Sequence, residues 1–111
     1  MITIPGLKEL GCNVEEGLQR CMNNADFYLM LVNKALKDEN IINLKNAINS
    51  GDYQKGFEVS HAMKGVYGNL SLTPLFNLVV EICEHLRNKD EMDYATLVKE
   101  IESLYFKIKS L

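Results

Sequence analysis

His61 is one of two histidines in the chain, and its helical neighbours make it a candidate nucleophile. Along a helix, separations of three, four and seven residues return to nearly the same azimuth. Phe57, His61, Lys64, Gly65 and Gly68 therefore gather on one side, with Val59, Ala62, Met63, Val66 and Leu70 expected as the opposing core stripe. That pattern predicts an exposed imidazole with an ammonium three residues on. An imidazole nitrogen is a competent nucleophile near neutral pH. A phosphoryl group placed on it would add about −1.5 to −2 charges, which Lys64 would partly offset.

The two glycines sharpen this reading. Glycine inside a helix costs about 1 kcal/mol relative to alanine, and no neighbouring helix is expected to approach closely at Gly65 or Gly68. Bare backbone one turn beyond His61 would instead let another protein's surface descend onto the ring. Phe57, expected to be exposed one turn before the histidine, would give that partner apolar contact area. Each residue alone has an ordinary explanation: a solvated histidine, a solvated lysine, a phenylalanine tucked against a neighbour, a glycine fixed by drift. Their coincidence on one face is the informative feature.

These residues need a scaffold, and the punctuation of the chain is helical throughout. Asn13 and Glu16 have capping-box spacing, opening a short helix through about Met22. A second helix is predicted from Ala25 to about Lys37, its run from Phe27 to Val32 apolar nearly all round and so expected to be contacted on several sides. Ile41, Leu44 and Ile48 mark a third, ending at Ser50-Gly51, and Asp52 caps the histidine helix, which should run to about Leu70. Thr73 then reads as an N-cap with Pro74 at the first helical position. The stripe Leu75, Val79, Ile82 and Leu86 follows, ending near Asn88. After a charged loop from Asn88 to Met92, helical spacing resumes through Tyr94, Leu97, Val98, Ile101, Leu104, Tyr105 and Ile108. No strand alternation or hairpin turn is present. The expected fold is all-α: an antiparallel up-and-down four-helix bundle with short N-terminal helical additions, one domain over residues 1–111.

Composition narrows the partners. At 47% hydrophobic and 24% charged, with net charge −3, the chain has an ordinary globular balance and no basic block suited to nucleic acid or an anionic membrane. Cys12, Cys21 and Cys83 are scattered, without disulfide or zinc spacing, and read as small hydrophobes in a reducing cytosol. No leader pattern or bilayer-length apolar run appears, so a cytoplasmic location is expected. Other enzymatic chemistry lacks its parts: no Gly-rich nucleotide loop, no H-E-x-x-H set, and no converging carboxylates in Glu15/Glu16 or Glu100/Glu102. His85, one turn after Glu81, reads as a solvated ion-pairing residue.

The stretch His61-Ala62-Met63-Lys64-Gly65-Val66-Tyr67-Gly68-Asn69-Leu70-Ser71-Leu72 resembles the signature of histidine phosphotransfer (Hpt) domains, where the phospho-accepting histidine is followed by x-hydrophobic-Lys-Gly. Val14 to Leu18, Asp26-Phe27-Tyr28 and Gly51-Asp52-Tyr53 look like the family's N-terminal section and its approach to the histidine helix. The resemblance implies a phosphorelay intermediate that takes a phosphoryl group on His61 from a histidine kinase or its receiver domain and passes it to a response-regulator aspartate. By the same resemblance, Lys64 is the cation beside the phosphate and Gly65 the clearance position. The chain itself is expected to bind no cofactor, with Mg²⁺ brought by the receiver, and to act as a monomer. Three positions depart from the family pattern: Val66 where serine is frequent, Tyr67 where a small residue is common, and Ser71 where glycine is usual. Val66 is expected to be a packing change on the core stripe, and Tyr67 an edge residue that tunes partner choice. The competing expectation is a non-catalytic helical adaptor docking a receiver-like partner through Phe57, Gly65 and Gly68, with His61 incidental.

Overall fold

A computed structural model describes residues 1–111. Seven helices follow in order: α1 (Ile4–Glu9), α2 (Val14–Arg20), α3 (Ala25–Ala35), α4 (Asp38–Asn49), α5 (Tyr53–Asn69), α6 (Thr73–Arg87) and α7 (Tyr94–Lys109). Helices α4 to α7 form the up-and-down four-helix bundle. α5 packs chiefly on α6 and then on α4, and α7 closes the ring against α6 and α4. Contacts at the helix ends fix the antiparallel sense. Phe76 near the start of α6 meets Gly68 near the end of α5, and Lys109 and Tyr105 of α7 both bond Asp38 at the start of α4.

The three short helices cover the end of the bundle where α5 turns into α6. They contribute Leu7, Val14, Tyr28 and Val32, and the segment before α1 contributes Ile2, to the same buried cluster as Leu44, Met63, Val79 and Ile101 of the bundle. The molecule measures 41 × 23 × 20 Å. Its length exceeds the roughly 25 Å of a 17-residue helix because α1 to α3 extend beyond the bundle.

The boundaries of α2 to α7 agree with the sequence pattern to within a few residues, whereas α1, capped by the Thr3 hydroxyl on Gly6 N–H, is not anticipated by it. The differences have local causes. Asn13 accepts the Glu16 backbone N–H at 3.3 Å, as expected of a cap. The reciprocal half of the box is absent: the Asn13 N–H donates to Ser71 O and Thr73 Oγ1, and the Glu16 carboxylate is engaged by Ser71 and Arg20. Thr73 is the first residue of α6 rather than its cap. Leu72 takes the cap position, and the Thr73 hydroxyl donates to Ser71 O. In α3 only Tyr28 and Val32 are buried, while Phe27 and Met30 are exposed. The expectation of contact on several sides fails for Phe27 and Met30, although Leu29, Leu31 and Ala35 pack against the core, because α3 lies across one end of the bundle and not within it.

The core stripe of α5 is also rotated from the expected one. Gly56, Ser60, Met63 and Tyr67 are buried along it, with Leu70 just beyond, whereas Ala62 and Val66 are exposed. Two features account for the rotation. Burying the Tyr67 ring removes more apolar surface from water than burying valine. Gly56 admits the neighbours: a Cβ there would stand 3.2 Å from Ile48 Cδ1 and 3.4 Å from Leu86 Cδ1. The Ser60 hydroxyl is satisfied within the helix, donating to Phe57 O at 3.1 Å.

Candidate functional site

α5 is capped by Asp52, whose Oδ1 accepts the Lys55 N–H at 3.1 Å, after Gly51, just past the end of α4, turns the chain with φ +74°. Starting from that cap, the buried stripe leaves His61 on the outer face, near the middle of the helix, and exposed. Neither ring nitrogen of His61 is hydrogen bonded to the protein. His85 differs: its Nδ1 lies 2.8 Å from Asp90 Oδ2. The acidic partner of His85 is therefore Asp90 across the helix end, not Glu81. The two histidines serve different ends, one tied to a loop and one free.

The surroundings of His61 differ in part from the sequence expectation. Phe57 is half-buried and packs against the core. Its ring stacks with the His61 imidazole, centroids 5.7 Å apart and planes 25° apart. The Arg87 guanidinium carbon lies 5.5 Å from the Phe57 ring centroid, within cation–π range. Lys64, three residues on along the helix, is half-buried and forms no ion pair, which leaves its ammonium uncommitted within the protein.

Gly65 and Gly68 divide. A Cβ on Gly65 would meet nothing within 4 Å. On Gly68 it would stand 2.9 Å from Phe76 Cε1 and 3.2 Å from Cδ1. The expected absence of a close neighbour holds at Gly65 and fails at Gly68, where helix–helix packing explains the glycine.

Two departures from the family pattern change meaning. Tyr67 is fully buried, and burial pushes its hydroxyl up to about 12, so it is a core residue and not an edge residue facing partners. Val66 faces out and lines a shallow groove of about 400 Å³ with Leu31, Lys34 and Ala35 of α3. Ser71 has φ +55°, the left-handed region where glycine is at ease. Its hydroxyl donates to Glu16 Oε1 at 2.8 Å and accepts from Arg20 Nη1 at 2.9 Å. Arg20 also donates to the Gly68 and Asn69 carbonyls that end α5. α2 thus supplies bonds that a glycine at this position would lack.

Arg87, Phe76 and Arg20 were not singled out as neighbours of the site by sequence pattern. A signal did exist for two of them. Gly68 and Phe76 are each four residues from Leu72 in the chain, and Phe57 and Arg87 each fifteen. An antiparallel hairpin turning at Leu72 brings equidistant residues together. Arg20 carries no such signal, because α2 reaches the hairpin from outside it.

The matched region completes the assignment. The sequence model of the Hpt domain family matches residues 36–110. The chain belongs to the Hpt domain family. No curated protein and no solved structure matches it. The matched residues of this Hpt domain coincide with α4 to α7 and include Phe57, His61, Lys64, Gly65 and Arg87. Helices α1 to α3, with the stretches from Val14 to Leu18 and from Asp26 to Tyr28, lie outside the match. Membership supports a histidine phosphotransfer role in two-component signalling, in which Hpt domains interact with kinases and receiver domains. No helix is long and apolar enough to cross a membrane.

Proposed function

We propose that this Hpt domain is a phosphorelay intermediate with His61 as the phospho-acceptor. The observation that supports it best is the exposed, unbonded imidazole, with the unpaired Lys64 three residues on and open space over Gly65. In the forward step the lone pair of an imidazole nitrogen attacks the phosphorus of a receiver's phospho-aspartate. The N–P bond forms, the P–O bond to the aspartate breaks, and the aspartate leaves as carboxylate. The reverse exchange loads a second receiver. Lys64 offsets charge on the bound phosphoryl group, and Gly65 leaves the approach open.

Little covalent machinery is required of the carrier, since such transfers depend mainly on positioning and charge stabilisation. No three His, Cys, Asp or Glu side chains converge to hold a metal. In this reading the Mg²⁺ that the transfer uses comes with the receiver. The domain works as a soluble cytoplasmic monomer in this reading.

The test is incubation with a phosphorylated receiver domain and Mg²⁺. Acid-labile, base-stable phosphate is expected on the wild type and absent from His61→Gln. A wild type that takes no label from a broad receiver panel would favour the adaptor function instead.

A further inference from the structure

The imidazole of His61 has no hydrogen bond to set its plane, unlike that of His85. The ring that it does contact is Phe57, stacked at 5.7 Å and 25°. Phe57 is in turn mounted firmly: half-buried, packed on the core, and contacted by the Arg87 guanidinium at 5.5 Å. Arg87 also faces Glu84 Oε1 at 3.6 Å, three residues earlier on α6, in an exposed pair. A continuous set of contacts therefore runs from α6 through the base of α5 to the nucleophile.

We propose that Phe57 and Arg87 are positioning residues for His61, setting the plane of the imidazole before the partner arrives. This rests on the reading of His61 as phospho-acceptor. The attacking lone pair lies in the plane of the ring, so in-line attack requires that plane to contain the phosphorus. A free histidine side chain samples several rotamers. Stacking on a fixed aromatic ring removes those that turn the imidazole across it, and orientation set beforehand lowers the barrier of the transfer step. Phe57 then acts through His61 and not chiefly as contact area for the partner.

The two roles separate kinetically. Single-turnover transfer from a phosphorylated receiver is measured over a range of Hpt concentrations for wild type, Phe57→Ala, Phe57→Leu, Phe57→Tyr and Arg87→Ala. Circular dichroism checks that each variant is folded. Phe57→Ala is expected to lower the saturating rate about tenfold while the half-saturating concentration stays within about twofold, the pattern of lost orientation and not lost binding. Phe57→Leu, which fills space without a ring, stays slow, and Phe57→Tyr, which keeps the ring, restores the rate to within about threefold. Arg87→Ala lowers the same parameter by about threefold.

A second readout needs no phosphate. Nuclear Overhauser contacts between the His61 and Phe57 rings, with one dominant His61 χ1 coupling pattern, are expected in the wild type and averaged couplings in Phe57→Ala. Three results overturn the proposal while leaving His61 as acceptor: a Phe57→Ala effect confined to the half-saturating concentration, full activity of Phe57→Leu, or rotamer averaging already in the wild type. Absence of label from the wild type overturns the acceptor reading, and the positioning role with it.

Discussion

The Phe76 ring occupies the space above the Gly68 Cα, so that a Cβ there would stand 2.9 Å from Cε1, whereas one at Gly65 would stand in the open. The two glycines share a helix face and have opposite physical reasons. Gly65→Ala should raise stability by about 0.5–1 kcal/mol, the ordinary helix gain. Gly68→Ala must displace an aromatic ring packed between α5 and α6, and is expected to lose about 1 kcal/mol net. Urea denaturation of both variants checks the difference in sign.

Clearance over Gly65 has its own signature in transfer. Gly65→Gln places a long side chain one turn beyond His61, starting from a Cβ that meets nothing within 4 Å. It should keep or slightly raise helix stability while slowing phosphotransfer by about tenfold or more. Unchanged transfer in a labelling time course would count against Gly65 as the point of partner approach.

The strained Ser71 and the Arg20 guanidinium are coupled. Arg20→Ala removes donors to Gly68 O, Asn69 O and Ser71 Oγ. Because Arg20 is about half exposed and water can replace it at these carbonyls, the cost should be only about 1 kcal/mol. Ser71→Gly relieves the positive φ but loses two hydroxyl bonds, so it should be nearly neutral alone. In an Arg20→Ala background, where one of those bonds is already gone, Ser71→Gly should become stabilising by about 0.5–1 kcal/mol. A double-mutant cycle in urea measures the coupling.

Tyr67 is fully buried and its hydroxyl has no hydrogen-bond partner in the protein. Tyr67→Phe keeps the ring and deletes the unsatisfied group, so it should stabilise the fold by about 1 kcal/mol at neutral pH. Thermal denaturation gives the sign directly, and an unchanged or lower melting temperature would refute it.

Stability should be limited at both pH extremes. Burial pushes Tyr28 and Tyr67 up to about 12, and burial together with the bond to Asp38 raises Tyr105. A folded-state pKa above the unfolded value of about 10 means that this stabilisation is complete below pH ~10 and is lost as pH rises towards about 12. Asp38 behaves oppositely. Bonds from Lys109 and Tyr105 hold its carboxyl below the usual range, so its contribution is present above pH ~4 and is lost as pH falls further. Helical circular dichroism should be flat between these limits. Tyr67→Phe should shift the alkaline limb upward, and Asp38→Asn should flatten the acid limb.

The sequence by itself determined helices α2 to α7, the caps at Asn13 and Asp52 and the exposed azimuth of His61, because these depend on residues within one or two turns. Asn13, Asp52 and Gly51 act where local chemistry predicts, and the spacing from Phe57 to Gly68 gathers one face whatever lies behind it. Tertiary structure alone decided what lies behind it. The choice between Val66 and Tyr67 for the core turns on which ring or methyl group the neighbouring helices can enclose, which a wheel of apolar types does not contain. The meaning of Gly68 depends on Phe76 across the hairpin, that of Ser71 on Arg20 some fifty residues earlier, and that of Phe57 on Arg87. Each is set by the packing of one element against another, and contact between residues distant in the chain appears only once the bundle has closed.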